Sequence, residues 1–520
     1  MSFLKAERKD YVAVDIESAY SLLNAEYQNA LKRIDSLELE IARLKEQLAL
    51  MQHQRFGKKT EVSLGKTVVG ELQTVAGYTR RKGHKSVGRT VDTSLLPRHK
   101  IIHDLSEADK QCTSCHHALS CIGQDVSEQL EVIPLKLYVA EHIRYKYACT
   151  HCQTVQMAPK PKAPITKALA GGSLITEIVL NKYQYHLPLY RQSKILASYQ
   201  VAIPDNTLGQ WVSHSGSGLM MVYEALWQTC SKVNYLQVDE TPVKVLKPSK
   251  KGYLWAYYAP HCGKGLVFFE LSLTRSGRVA EDRLIDFKGL LQTDGYAGYQ
   301  KLRERPHITG FGCLTHARRK FDEVLKISKN KQGFAAEVIE RLKPVYALEA
   351  KMKDLKVSFH TRKRLRQKQA WPVLKALKSW LKQNRHRVPP NSKLSIAVQY
   401  MLNQWPYLIA YCRHGTVEID TNGVENRIRP EALGRKNWLF MGHKASGLIH
   451  ALWYSLIYSA LLNGLNPRVY VHYLLSKIHD LRCKTIDPGT LLPHVINRDD
   501  LQAFANEQIA IGKLFFNNSS

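Results

Sequence analysis

The chain has 520 residues, 44% of them hydrophobic and 23% charged, which excludes a wholly disordered polymer and predicts several folded domains. Lysine and arginine number 75 against 45 aspartate and glutamate, a formal net charge of +30, so the chain is drawn to polyanions, nucleic acid first; a basic protein with no such partner is the plainer alternative. No run of about 18 apolar residues reads as a membrane span, and MSFLKAERKD lacks a secretory apolar region, so the ten cysteines read as reduced thiols or metal ligands in a cytoplasmic, nucleoid-associated protein.

Residues 15 to 54 predict one long helix. Ile16, Tyr20, Leu23, Tyr27, Ala30, Ile34, Leu37, Ile41, Leu44, Leu48 and Met51 recur in alternating steps of four and three. Such a seam calls for a partner helix, so a coiled coil and a homo-oligomer are expected. RFGKKTE then ends the helix with a glycine and three cations, Arg55, Lys58 and Lys59. Residues 55 to 100 read as a basic linker, either a plain solvated one or a segment that orders on DNA.

Residues 101 to 157 carry two C-x-x-C pairs, Cys112 with Cys115 and Cys149 with Cys152. The stretch between them alternates like strands. Four thiolates on two knuckles suit tetrahedral Zn²⁺, and a closed four-ligand set is structural rather than catalytic. Ala158 to Thr166 is a Pro-rich linker. Residues 167 to 232 predict helices, with a turn at QVAIP and Asp205 as a candidate N-cap for the next helix. This region is either a helix-turn-helix that reads DNA or an ordinary three-helix packing unit.

From Val233 the periodicity changes to that of strands. YLQVDETPVKVL, GYLWAYYA and LVFFELSL predict three strands, with turns at Pro248–Gly252 and Cys262–Gly265. SGRVAEDRLIDF predicts a helix, GLLQTD a fourth strand, GYAGYQKL a helix, HITGFGCL a fifth strand and THARRKFDEVLKI a helix. That order is similar to a ribonuclease-H-like domain, with Asp239 on the first strand and Asp294 after the fourth. Residues 233–321 and 416–440 form this expected core. Glu240 also lies beside Asp239, but strand alternation points it to the opposite face.

Residues 322–415 interrupt the core with basic, helical sequence. Its Trp371 and Trp380 fit a bundle core better than stacking platforms for bases. Glu425 then opens a helix in TNGVENRIRP, and Asn422 with Glu425 also has capping-box spacing. Arg427, Arg429, Arg435 and Lys436 surround that helix, and Arg318 and Arg319 in THARRKF add to the cations expected to meet phosphate. Residues 441–520 predict apolar helices that close the chain.

RFGKKTE, IGQDVSEQLEVIP, HIRYKYAC, KYQYHLPLYRQ, QVDETPVKV, LQTDGYAGY, GCLTHARRKF, NGVENRIRP, ALGRKNWLF and YSLIYSALLNGLNP occur in order over about residues 15 to 475. At these motifs the chain resembles the large transposase of the insertion sequence 66 family of bacterial mobile elements. The resemblance implies an N-terminal leucine zipper, a zinc-binding domain and a DDE catalytic domain whose acids map onto Asp239, Asp294 and Glu425. It also implies small accessory proteins from the same element. Cys313 and His316 resemble a C-x-x-H signature of insertion-bearing DDE transposases; a buried strand cysteine beside a helix-capping histidine is the equal alternative. The first knuckle, CTSCHH, lacks the glycine that usually follows the second cysteine.

The expected architecture is therefore a multidomain α+β chain: coiled coil, zinc-ribbon-like module, helical DNA-binding region, ribonuclease-H-like core with a helical insertion, and C-terminal helices. The expected chemistry uses Mg²⁺ or Mn²⁺ on Asp239, Asp294 and Glu425 to cleave the terminal inverted repeats and join them to target DNA. Two rival expectations remain: a transposase-derived DNA-binding regulator without catalysis, and a structure-selective nuclease of the same architecture.

Overall fold

A computed structural model describes residues 16–56, 137–148, 155–157, 161–166, 168–327 and 333–517. The chain divides into two compact units, residues 59–159 and the remainder. Within the smaller unit, β1 (Lys146–Ala148) and β2 (Val155–Met157) pair antiparallel, with Tyr147 opposite Gln156. Residues 137–145 form no strand although their sequence alternates, and Tyr138, Val139, Ile143 and Tyr145 are exposed. Alternation alone does not make a strand, because each strand also needs a hydrogen-bonded neighbour. Cys112, Cys115, Cys149 and Cys152, Lys58 and Lys59, and nearly all of the basic linker lie outside the described residues.

The larger unit begins with the long helix that the spacing predicts, α1 (Ile16–Phe56). Its seam residues Tyr20, Tyr27, Ile34, Leu37, Ile41 and Leu44 are all at least half exposed. Four helices precede the sheet: α2 (Gly172–Tyr183), α3 (Leu189–Ser198), α4 (Asp205–Gly218) and α5 (Met220–Ser231). Asp205 is not the N-cap of α4. Pro204 holds that position, and Asp205 is the first helical residue, where its charge suits the helix dipole.

The sheet is mixed. Its strands are β3 (Tyr235–Lys247), β4 (Lys250–Ala259), β5 (Leu266–Ser272), β6 (Gly289–Gln292), β7 (Ile308–Phe311) and β8 (Met441–His443). The order across it is β5-β4-β3-β6-β7, with β3, β4 and β5 antiparallel and β6 and β7 running parallel to β3. Short β8 pairs with the far end of β3. Helix α6 (Arg278–Arg283) links β5 to β6, α7 (Gln300–Arg303) links β6 to β7, and α8 (Leu314–Ile327) follows β7.

Five helices then intervene: α9 (Phe334–Asp354), α10 (Phe359–Leu365), α11 (Trp371–Gln383), α12 (Lys393–Asn403) and α13 (Trp405–Ala410). All of these but α10 join α8 in burying a continuous apolar core, and Trp371 and Trp380 pack against it as the sequence predicts. The chain returns through α14 (Asn422–Trp438) and ends in α15 (Lys444–Leu462), α16 (Pro467–Ser476), α17 (Ile478–Arg482) and α18 (Arg498–Asn517).

Helix α15 is, among the described residues, long and apolar enough to cross a membrane by length and composition only, although Lys444, Ser446, His450, Ser455 and Ser459 interrupt its apolar sequence. Of its apolar window, 72% is buried inside the fold. It covers β5, the edge strand of the sheet. The Val267 and Phe269 amides donate to Ser459 Oγ at 3.0 Å and Ser455 Oγ at 2.8 Å, so two serines in an apolar helix satisfy the open edge. On another face the Trp453 indole donates to the Val212 carbonyl of α4, and α2 packs on α16.

An ion network fixes the helical insertion to the segment ahead of α14. Arg366 is fully buried and starts a π-helical turn, Arg366–Ala370. It donates to both Glu349 oxygens at 2.7 Å, and to the carbonyls of His414 at 2.6 Å and Val417 at 2.8 Å. Arg362 forks onto Glu418 at 3.0 and 2.7 Å. Although burial opposes the charge, Arg362 holds the Glu418 carboxyl below its ordinary range. Glu349→Ala leaves Arg366 buried without its counter-charge, and a loss of about 3–5 kcal/mol is expected in denaturant unfolding of this region. A loss below about 1 kcal/mol would show that the carbonyls alone suffice.

Candidate active site

Strand alternation puts Tyr235, Gln237 and Asp239 on one face of β3. The parallel register sets Gln237 opposite Gln292, so the two Q-x-D segments run abreast and bring Asp239, inside β3, near Asp294, two residues past the end of β6. Both glutamines are completely buried. An amide buried in this way must find its hydrogen bonds inside the protein.

It finds them on the chain leading into α14. Gln237 Nε2 donates to the Asp420 carbonyl at 3.0 Å and to Gln292 Oε1 at 2.9 Å, while its Oε1 accepts from the Val424 amide at 3.0 Å. Gln292 Nε2 donates to the carbonyls of Gly312 at 3.0 Å and Glu418 at 2.9 Å. The Tyr235 hydroxyl donates to Gln292 Oε1 at 2.5 Å and accepts from the Glu418 amide at 3.1 Å. The approach is so close that a Cβ on Gly423 would lie 2.3 Å from Gln237 Oε1, which accounts for glycine there. Residues 418–424 are thus sewn to the sheet centre immediately before Glu425. Sequence reasoning missed both glutamines; the repeated Q-x-D in LQVD and LLQTD is the signal that points to them.

Asp239 is partly buried. Burial, then the carboxylates of Asp294 and Glu240, and lastly Glu425, push its carboxyl well above the usual range, while the Glu240 amide bonding Oδ1 at 2.9 Å works the other way. Glu240 turns to the opposite face, as alternation predicts, where it accepts from the Tyr299 hydroxyl at 2.5 Å and from Arg275 Nε at 2.7 Å. Asp294 Oδ1 accepts from the Tyr296 amide at 2.9 Å, and the next amide, Gly295, donates to the Tyr400 hydroxyl of α12 at 3.1 Å. The insertion therefore touches the turn of the second acid as well as the approach to the third.

Glu425 does not form the capping box that its spacing allows. Thr421 holds the N-cap position of α14 without a side-chain cap bond, Asn422 is already helical, and the Asn422 amide donates to Asp420 Oδ1 at 3.1 Å. The Glu425 carboxylate instead faces α8. Its Oε2 accepts from Arg319 at 3.1 Å, and its Oε1 lies 3.5 Å from His316 Nδ1 and 3.3 Å from the Thr421 hydroxyl. Cys313 is buried just past the end of β7 rather than within a strand, and its Sγ accepts the amides of His316 at 3.4 Å and Thr421 at 3.3 Å. One sulfur thereby ties together the starts of α8 and α14. Burial pushes this thiol up to about 12.

The expected DNA-contacting cations divide into two groups. Arg429 and Lys436 are exposed along α14. Arg435 is committed to Thr241 Oγ1 at 2.7 Å and the Pro242 carbonyl at 2.5 Å, and Arg427 to the Gly423 carbonyl and the Tyr258 ring. Arg318 pairs with Asp322 at 3.8 Å, and Arg319 with Glu425. Arg55 lies in the last turn of α1. Like-charged carboxylates gathered where water is scarce suit a hard divalent cation, which takes oxygen ligands and cancels their repulsion.

A family model for "Transposase IS66 family" matches residues 167–448, and one for the "zinc-finger binding domain of transposase IS66" matches residues 109–153. The second span contains all four cysteines of the C-x-x-C pairs, and a zinc-finger domain there points to Zn²⁺. Three proteins of Sinorhizobium fredii (strain NBRC 101917 / NGR234) are similar along most of their length. "Uncharacterized protein y4jD" is 34% identical over 79% of this chain and 83% of its own. "Uncharacterized protein y4hP" is 26% identical over 86% of both, and "Uncharacterized protein y4qI" 30% identical over 72% of this chain and 71% of its own.

A carboxyl with a raised folded pKa stabilises the fold fully below its unfolded value, 3.8 for aspartate, and that contribution is lost as pH rises through the folded value. In EDTA at about pH 8, Asp239→Asn is therefore expected to melt above the wild type, the difference shrinking toward about pH 4. Mg²⁺ should raise the wild-type Tm more at about pH 8 than at about pH 5 and leave the variant nearly unmoved. A variant that melts below wild type in EDTA contradicts the crowding of charge.

Proposed function

The chain belongs to the IS66 family of transposases, and from that membership we propose that it cleaves the ends of its element and joins them to target DNA by metal-dependent phosphoryl transfer at Asp239, Asp294 and Glu425. The observation that carries the reading is the paired Q-x-D register: one carboxylate inside β3, one just past the end of the adjacent β6, and a third on a helix held by the same two glutamines. The strand order β5-β4-β3-β6-β7, with Asp239 on β3 and Asp294 just past the end of β6, supports a ribonuclease-H-like core.

Asp239 and Asp294 would hold the cations, with Glu425 as the third oxygen donor. Bound Mg²⁺ or Mn²⁺ supplies Lewis acidity to an attacking water or 3′-hydroxyl and to the leaving oxygen of the phosphodiester. The protein's own share is positional. Gln237, Gln292 and Tyr235 fix the acids relative to one another, and Arg435 anchors α14 to β3. Exposed Arg429 and Lys436 meet the phosphates of the bound strand. The zinc finger and the helices of residues 167–232 select the element end, and accessory proteins of the element join on DNA.

Asp239→Asn, Asp294→Asn and Glu425→Gln are each expected to bind end DNA as the wild type does and to lose more than about 100-fold in Mg²⁺-dependent nicking, since each removes a direct ligand. Labelled DNA carrying the element end and its flank, incubated with Mg²⁺ or EDTA, reads both. Binding with no cut by the wild type favours the regulator. Cutting of branched DNA without joining favours the nuclease.

The exposed seam of α1 is the surface for self-association as a coiled coil. Leu37→Asp with Leu44→Asp is expected to lower the mass found by analytical ultracentrifugation to that of one chain. An unchanged mass removes α1 from the oligomer interface.

A further inference from the structure

Between α8 and α14 a soft donor, a borderline donor and a hard donor converge. Cys313 Sγ, a ring nitrogen of His316 and a carboxylate oxygen of Glu425 all lie within 4.8 Å of one another, close to the mutual spacing of ligands on one small cation. The His316 Nδ1 is buried with no hydrogen-bond partner, and it faces Glu425 Oε1 at 3.5 Å. Arg319 holds the other carboxylate oxygen at 3.1 Å, so Oε1 is the oxygen left on the histidine side. His316 and Glu425 are partly exposed, with side-chain accessibilities of 23% and 25%, so an ion can enter from solvent. Cys313 reaches the same point from beneath, at the junction of two helix N-termini.

We propose that Cys313, His316 and Glu425 form a second transition-metal site, selective for Zn²⁺ and similar borderline cations and distinct from the four-cysteine finger. A thiolate, an imidazole and one carboxylate are the donors such ions prefer, and hard Mg²⁺ has little use for the first two. Three protein ligands leave a fourth position to water. Binding deprotonates Cys313 and releases that proton to solvent. Because Glu425 is shared, an ion here draws its carboxylate toward α8 and away from Asp239 and Asp294. The site stands on these three side chains alone; its effect on cleavage rests on the reading of Glu425 as the third acid. Zinc is then an inhibitor of the Mg²⁺ reaction.

The test uses full-length protein equilibrated at fixed free Zn²⁺, with bound zinc counted by elemental mass spectrometry. Cys313→Ser and His316→Gln should each hold one zinc per chain fewer than the wild type. His316 is partly exposed, so its variant keeps the fold even if the buried Cys313 variant does not, and thermal melts of both report this. Equal counts in the wild type and a folded His316→Gln overturn the site. In parallel, nicking in Mg²⁺ is measured with and without added Zn²⁺, each protein compared with itself. Wild-type nicking should fall with zinc, and the zinc needed should rise more than about tenfold in His316→Gln. A lower count with nicking indifferent to zinc overturns the inhibitory consequence and leaves the site. If no chain nicks in Mg²⁺ alone, the reading of the three acids falls, while the zinc count still decides the site.

Discussion

A primary amide buried between strands has to place two donors and an acceptor without help from water, and that requirement organises the centre of this protein. Gln237 and Gln292 lie side by side in the parallel pairing of β3 and β6. The backbone of each strand is already paired, and on β3 only the Tyr235 hydroxyl is offered, which accepts from Gln237 Nε2 at 2.9 Å. Both turn to the backbone of residues 418–424, some 130 to 190 positions later, and they take the Tyr235 hydroxyl with them. Failure to meet these bonds would cost about 1–3 kcal/mol for each orphaned group, so the closing segment has one position available to it.

The acids exploit this rigidity. Burying Asp239 and packing it against Asp294 and Glu240 is unfavourable in itself, and both push its carboxyl well above the usual range. A fold tolerates such crowding only where surrounding structure over-determines it. Here the determination comes from three sides: the strand ladder, the glutamine pair, and the insertion, whose Arg366, Arg362 and Tyr400 reach the turns beside the second and third acids. The insertion is therefore a structural member of the site, in addition to any surface it offers to DNA.

The elements governed by periodicity were readable from sequence. The four-three spacing of α1, the alternation in β3 to β5 and the order of strands and helices follow from local patterns of apolar residues. So did the face on which Glu240 lies. What escaped depends on partners distant in the chain. Asp205 and the Asn422–Glu425 pair have the composition of caps, yet Pro204 and Thr421 take those places. Arg435 and Arg427 look like free cations in sequence and are tied to Thr241, Pro242 and Gly423 by a packing of α14 on the sheet that no local pattern encodes. Cys313 follows a strand and behaves as a linchpin of two helices. The glutamines were visible as a repeated dipeptide spacing, but only the register of β3 and β6 gives that repeat a meaning.

The placement of the insertion between the second and third acids also sets an order in time. A ribosome delivers the chain from its N-terminus, and domains fold as they emerge. The long helix, the zinc finger and the helices of residues 167–232 leave the tunnel first, followed by β3 and β6 with two carboxylates. The third arrives after a further hundred or so residues that must themselves fold and dock through Arg366 before residues 418–424 can be sewn down. On the proposed reading of the three acids, a nascent chain thus carries its N-terminal segments and two carboxylates well before the third is in place, and a truncated product ending inside the insertion would lack the third altogether.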